Sequence, residues 1–205
     1  TVETELVNTG LETYRLLEEE LGDATSKLWQ LQLPRIGLYK SWTASMDEGW
    51  TRFVLEQFEF EYQSVFDQDV RAGDLIKDFD VIVLPSLSDR AIVSGLSKEV
   101  VPPEYAEGIG KIGVMNIKSF IQNGGTLITL NSSSEFAIKS LHLGVKNTVF
   151  NLSRDEFFIP GSLLKVINVS DHPITYGYER DAAVFFRRSP VFSTFEGESL
   201  VKYPP

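Results

Sequence analysis

The sequence predicts an α/β domain, an open, mainly parallel sheet with helices on both faces, followed by a β-rich extension. Three observations predict it. Between residue 35 and about residue 140, apolar runs of strand length alternate with amphipathic runs of helix length, the order that builds parallel strands with crossover helices. Val81-Ile82-Val83-Leu84 is apolar at every position and is stopped by Pro85, as suits a strand covered on both sides. From about residue 147 the pattern changes to short β-rich pieces punctuated by Pro160-Gly161, His172-Pro173 and Ser189-Pro190.

Taken in order, residues 9–22 read as a helix. Thr9 and Glu12 have capping-box spacing, Leu11, Tyr14, Leu17 and Leu21 share a face, and Gly22 supplies the stop. Residues 1–33 are therefore expected to be a helical connector from an upstream region, with the α/β domain at 34–205. Arg35 to Tyr39 reads as the first strand. A helix from about Asp47 to Gln57 follows, with Ser45 and Glu48 at capping-box spacing and a broad apolar stripe of Trp50, Phe53, Val54 and Phe58. Glu61 to Val65 is a second strand, Asp74 to Lys77 a helical turn, and Val81 to Leu84 the third strand. Residues 86–111 read as a long polar connection, of the length usual for functional or mobile loops. Val114, Ile117, Phe120 and Ile121 then mark a helix ending at Asn123-Gly124-Gly125, Thr126 to Leu130 a strand, and Ser132 to Ile138 another helix start. In the extension, Phe157 to Ile159, Leu163 to Ile167 and Ala183 to Phe186 read as edge strands packed on the sheet.

Composition narrows the function. The chain has 205 residues, 42% of them hydrophobic, enough to bury a sizeable core. Its formal charge of −10 opposes binding to a phosphate backbone, so nucleic acid is not an expected partner. No run approaches the roughly 20 apolar residues of a membrane span, and Thr1 to Leu6 lack the features of a signal peptide. A first residue other than Met, and an end at Tyr203-Pro204-Pro205, suggest a piece of a longer chain. With no cysteine there is no disulfide, thiolate metal site or thiol nucleophile.

Pro34 to Trp42, Ser45 to Arg52 and Phe79 to Pro85 form a set of motifs. Asn123 to Leu130, Phe158 to Leu164, His172-Pro173-Ile174 and Phe185-Phe186 continue it. Together, over roughly residues 34–195, they resemble the class I glutamine-amidotransferase-like domain that follows the peptidase domain in bacterial carboxypeptidase-A-type zinc peptidases. The resemblance implies a flavodoxin-like sheet and, as partner, the peptidase domain of the same parent chain. It further implies zinc in that parent domain and none in this chain, and a periplasmic or secreted parent.

The catalytic groups of both families are missing from the pattern. A working glutaminase needs a thiol in the turn after a central strand, activated by an imidazole. Here that turn reads Leu130-Asn131-Ser132-Ser133-Ser134-Glu135, in which Ser132 caps the following helix with Glu135 as its capping-box partner. Zinc peptidases hold their metal through His-x-x-Glu, but Val145 lies three residues after His142 and Thr175 three after His172. Those two histidines read as a helix-end and a turn residue.

The leading expectation is thus a noncatalytic accessory domain with no catalytic residue and no metal site of its own. The first alternative is a serine hydrolase with Ser132 or Ser133 as nucleophile and Glu48 or Asp47 as partner. The second is a module binding a small ligand or glycan in the crevice at the strand ends, where Ser41, Trp42, Asp47, Glu48 and Asn131 would sit. Asp47 and Glu48 also read as first-turn acids favouring the helix dipole, and Trp42 and Trp50 as packing residues. Gly108-x-Gly110-x-x-Gly113 has dinucleotide-binding spacing but follows a loop, so it reads as chance. Arg187-Arg188 and Lys139 are too few for an anion groove but sufficient for a single carboxylate contact. Asn131, Asn151 and Asn168 sit in glycosylation-type triplets that matter only in a secretory eukaryote.

Overall fold

The computed structural model describes residues 33–169 and 172–204. The helix expected at 9–22, and with it the connector up to residue 32, lies outside the described residues. The described residues from Pro34 onward form one compact unit.

Its centre is a four-stranded parallel sheet made of β1 (Ile36–Tyr39), β2 (Tyr62–Val65), β3 (Val81–Leu84) and β4 (Thr126–Thr129), in the order β2-β1-β3-β4. Between them lie α1 (Met46–Gln57), α2 (Asp67–Ala72), α3 (Leu75–Asp78), α4 (Asp89–Val93) and α5 (Gly110–Gln122), with α6 (Ser134–Leu141) after β4. The register aligns Ile36 with Tyr62 and with Val81, and Val81 with Thr126.

Alternation of side chains divides the sheet into two unequal faces. One carries Tyr39, Val65, Ile82 and Leu84, which pack with Val70, Leu75, Ile92, Ile117, Phe120 and Phe136 from α2 to α6 into the main core. Gly37 lies on this face because a Cβ there would come within 2.8 Å of Val65 Cγ2 and 3.1 Å of the Phe79 ring. The other face carries Ile36, Leu38 and Val83, joined by Leu55 of α1, Tyr62 and Val81.

Ser45 caps α1 as its spacing predicts, its Oγ accepting from Glu48 N at 3.2 Å. The apolar stripe of that helix is not buried: Trp50 is 64% exposed and Phe58 72%. The pattern defined an amphipathic helix correctly, but the sheet beneath is four short strands and takes up little of it.

The connection 86–111 is more ordered than its polarity suggests. It contains α4, with Ile92 fully buried, a β-bridge between Leu96 and Glu107, and a 3-10 turn at Pro103–Tyr105. Glu107 N donates to Leu96 O at 2.7 Å and Ile109 N to Ile92 O at 2.9 Å, closing the segment on itself. Ala106 and Ile109 anchor it in the interior. The Gly108-x-Gly110-x-x-Gly113 spacing serves this closure: a Cβ on Gly108 would sit 2.2 Å from Ile92 O, and one on Gly113 2.5 Å from Ile109 Cβ.

The C-terminal extension forms two small antiparallel sheets of its own instead of edge strands on the parallel sheet. β5 (Val145–Asn147) pairs with β8 (Phe192–Thr194), while β6 (Ser162–Asn168) pairs with β7 (Asp181–Phe186) and with β9 (Val201–Lys202). Phe157 to Ile159, expected as a strand, has no ladder partner. Phe157 instead meets the buried Phe186 edge-on at 6.0 Å between ring centroids, and Tyr203 meets it from the other side at 6.2 Å.

Candidate functional site at the strand ends

In open parallel sheets ligands bind beyond the carboxyl ends of the strands, where the strand order reverses. Here the reversal lies between β1 and β3. The loops after β1, β3 and β4 meet at Ser86. Ser45 Oγ donates to Ser86 O at 3.4 Å, and Asn131 Nδ2 donates to Ser86 Oγ at 3.0 Å.

The expected crevice residues separate into roles. Ser41 is buried, and its hydroxyl and the Thr43 backbone bond each other at 3.1 and 3.2 Å. Trp42 stacks on Phe66 at 5.0 Å and meets Tyr105 edge-on at 4.7 Å, so it joins the loop after β1 to the 86–111 connection. Asp47 and Glu48 stand in the first turn of α1, and the Glu48 carboxylate is paired with Arg52. Both acids lie on the helix after β1, whereas the serines of the alternative hydrolase lie after β4.

At that turn Asn131 has φ +51°, a left-handed conformation that Asn tolerates better than most residues. A sharp turn of this kind between strand and helix is where a nucleophile would be displayed. Its side-chain amide is no nucleophile, and it is tied to Ser86. Ser133 is fully buried, with its Oγ 2.9 Å from Leu84 O and 2.8 Å from Leu130 O, so this hydroxyl is spent on the backbone. Ser132 is exposed and does not cap α6, whose N-cap residue, Ser133, makes no side-chain capping bond. Glu135, expected to complete that box, accepts from Asn147 Nδ2 at 2.8 Å and pairs with Lys139 at 3.5 Å.

The β4–α6 turn faces a cavity of about 480 Å³ whose opposite wall is the C-terminal extension. Ser132, Asp89 and Arg90 contribute from the sheet side, and Asn147, Phe150 and Arg188 from the extension. Asn147 holds the wall in place, its Oδ1 accepting from Val149 N at 3.2 Å and Val191 N at 3.3 Å. Asp89, Arg90, Asn147 and Ser86 were not singled out by sequence. Their signal is tertiary, since the first two look like ordinary first-turn residues of a short helix.

His142 closes α6 in the left-handed conformation at φ +59°, and His172 Nδ1 accepts from Ile174 N at 3.2 Å at the head of a 3-10 turn. Among the described residues no group of three or more His, Cys, Asp or Glu is placed to hold a metal ion, and no helix is long and apolar enough to cross a membrane.

No family model matches the sequence, and no curated protein matches it. Solved structures do. A glutamine amidotransferase from Thermotoga maritima superposes with a TM-score of 0.51 at 13% identity, over 84% of this chain and 70% of that one. A ThuA-like protein from Bacteroides uniformis gives 0.47 at 11% identity, over 86% and 71%. The parallel sheet and its flanking helices therefore have a glutamine-amidotransferase-like fold.

Proposed function

We propose that this chain is a noncatalytic amidotransferase-like module, the accessory domain of a zinc carboxypeptidase whose peptidase domain lies elsewhere in the parent chain. One observation carries the noncatalytic part. The residue in the strained position of the strand-to-helix turn is Asn131, bonded to Ser86, and the hydroxyl of Ser133 is turned into the protein. An amidotransferase mechanism needs a thiolate there, and the chain has no cysteine. The carboxypeptidase parent is supported by the resemblance of the motifs between residues 34 and 195. On this reading the module packs against the peptidase domain, and zinc belongs to that domain.

The test uses the chain as it stands. Elemental analysis is expected to find no stoichiometric zinc, and a fluorophosphonate probe to leave the chain unmodified. One tightly bound zinc per chain overturns the reading. So does labelling at Ser132 that disappears in Ser132→Ala, which would instead establish the hydrolase alternative.

A further inference from the structure

The cavity beside the β4–α6 turn continues into a second one, of about 450 Å³, lying under residues 152–159. The two share Val149, Arg188 and Ser189, so Arg188 stands at the waist of one groove with unlike halves. The half toward the sheet carries most of the charged groups. It holds three cations, Arg90, Lys139 and Arg188, against two carboxylates, Asp89 and Glu135. Glu135 and Lys139 already satisfy each other, with Asn147 on the free oxygen of Glu135 and the Phe150 ring 4.5 Å below the Lys139 Nζ. Among the described residues, neither Arg90 nor Arg188 has an ion-pair partner. The far half is lined by Leu152, Phe157, Phe158 and Ile159 together with a fourth cation, Arg154, whose guanidinium lies 4.2 Å over the Phe158 ring.

We propose that this groove binds a carboxylate with an apolar or aromatic body, the carboxylate on Arg188 and Arg90 and the body on Phe157 and Phe158. Each part follows from a different feature. Guanidinium forks match carboxylate geometry, and two of them here face a groove without a counter-ion. A dianion such as phosphate would add its second charge beside Asp89, whose Oδ1 is already buried without a donor. The protein as a whole carries −10, so this positive spot is a local exception and not part of a basic surface. The aromatic half, adjoining the charged one, supplies contact area to a ligand with an apolar body. Such a ligand is either the free C-terminus of a peptide ending in an apolar residue or a small aryl or acyl acid.

The experiment is a calorimetric titration of the intact chain with N-acetylphenylalanine, its amide, 3-phenylpropionate and inorganic phosphate. An acid is expected to bind, and its amide, lacking the charge, to bind about tenfold more weakly or worse. Arg188→Gln should weaken the acid about 10- to 100-fold and Arg90→Gln should weaken it as well. Phe158→Ala should reduce affinity for the acid without restoring binding of the amide. Arg52→Gln, on α1 away from the groove, should change nothing. Preference for N-acetylphenylalanine over 3-phenylpropionate identifies a peptide terminus, and equal binding identifies a small acid; either supports the site. The proposal is overturned by equal binding of acid and amide, by phosphate binding as tightly as the acids, by indifference to Arg188→Gln, or by no binding at about 10 mM ligand. Zinc content and probe labelling do not depend on Arg188, so this inference and the noncatalytic reading fail separately.

Discussion

Tyr39 and Asp67 illustrate how a single pair ties the sheet to its helices. The phenol of Tyr39, at the end of β1, donates to Asp67 Oδ1 at 2.5 Å, and both residues are buried. Burial raises the Asp67 carboxyl above its ordinary 3.8, opposed by the Tyr39 hydroxyl, the Arg71 charge and the Trp42 backbone. A raised carboxyl means that the folded protein holds this proton more tightly than the unfolded chain. Its contribution to stability is therefore greatest in acid and declines as pH rises through the carboxylate range. Tyr39→Phe strands the carboxylate without its hydroxyl donor and is expected to cost about 1–3 kcal/mol in urea unfolding at pH 7. The loss should be smaller at pH 4, where more of the carboxyl is protonated. An equal loss at both pH values would show that Asp67 is not the reason. Neither partner announces itself in sequence, because Tyr39 ends an apolar strand and Asp67 is an ordinary helix-start acid. The chemistry of Asn131 was half legible. Its place after a strand was evident, whereas its left-handed backbone and its bond to Ser86 depend on a loop 45 residues away.

At the level of elements, the four parallel strands and the longer helices between them followed from local patterns. The connection between β3 and α5 did not. Its polar side chains describe the outside of the segment, while its order comes from backbone bonds, a buried Ile92 and two close approaches at glycine. Gly108→Ala places a Cβ 2.2 Å from Ile92 O, a backbone atom that cannot swing aside. Overpacking of this kind costs about 1–3 kcal/mol. The substitution should lower the melting temperature and speed amide exchange at Glu107 and Ile109, whose N–H groups close the segment. Unchanged exchange there would mean that the closure tolerates the extra carbon. The starts of β1 and β3 are joined by a different device. Arg35 grips Asp80 through Nε at 3.1 Å and Nη2 at 2.8 Å, and the guanidinium holds the Asp80 carboxyl down to about 2. Both side chains are solvent-exposed, so this clamp sets register more than it adds stability.

Over the whole molecule, the predicted α/β architecture and the β-rich extension are present, but the two faces of the sheet are not equivalent. The alternation of strands and helices forecast helices on both sides and said nothing of how much each would cover. Leu38 is fully buried on the thinner face, and Leu38→Ala is expected to cost about 2–5 kcal/mol. Trp50 lies on the exposed stripe of α1, and Trp50→Ser should shift stability by no more than about 0.5 kcal/mol. Paired denaturant titrations check this contrast, and a large loss for Trp50→Ser would mean that the stripe is covered in solution. The separate sheets of the extension were missed because β5, β8 and β9 are only two or three residues long. β5 and β8 are held by each other and by the Asn147 anchor, and β9 by its pairing with β6, not by any local propensity.

The meeting of three loops at Ser86 has a further implication. Ser45 bonded to its carbonyl and Asn131 to its hydroxyl tie the loops after β1 and β4 to the loop after β3. Ser86→Ala would remove the partner of Asn131 alone and leave the backbone acceptor of Ser45, so the two ties are separable by one substitution.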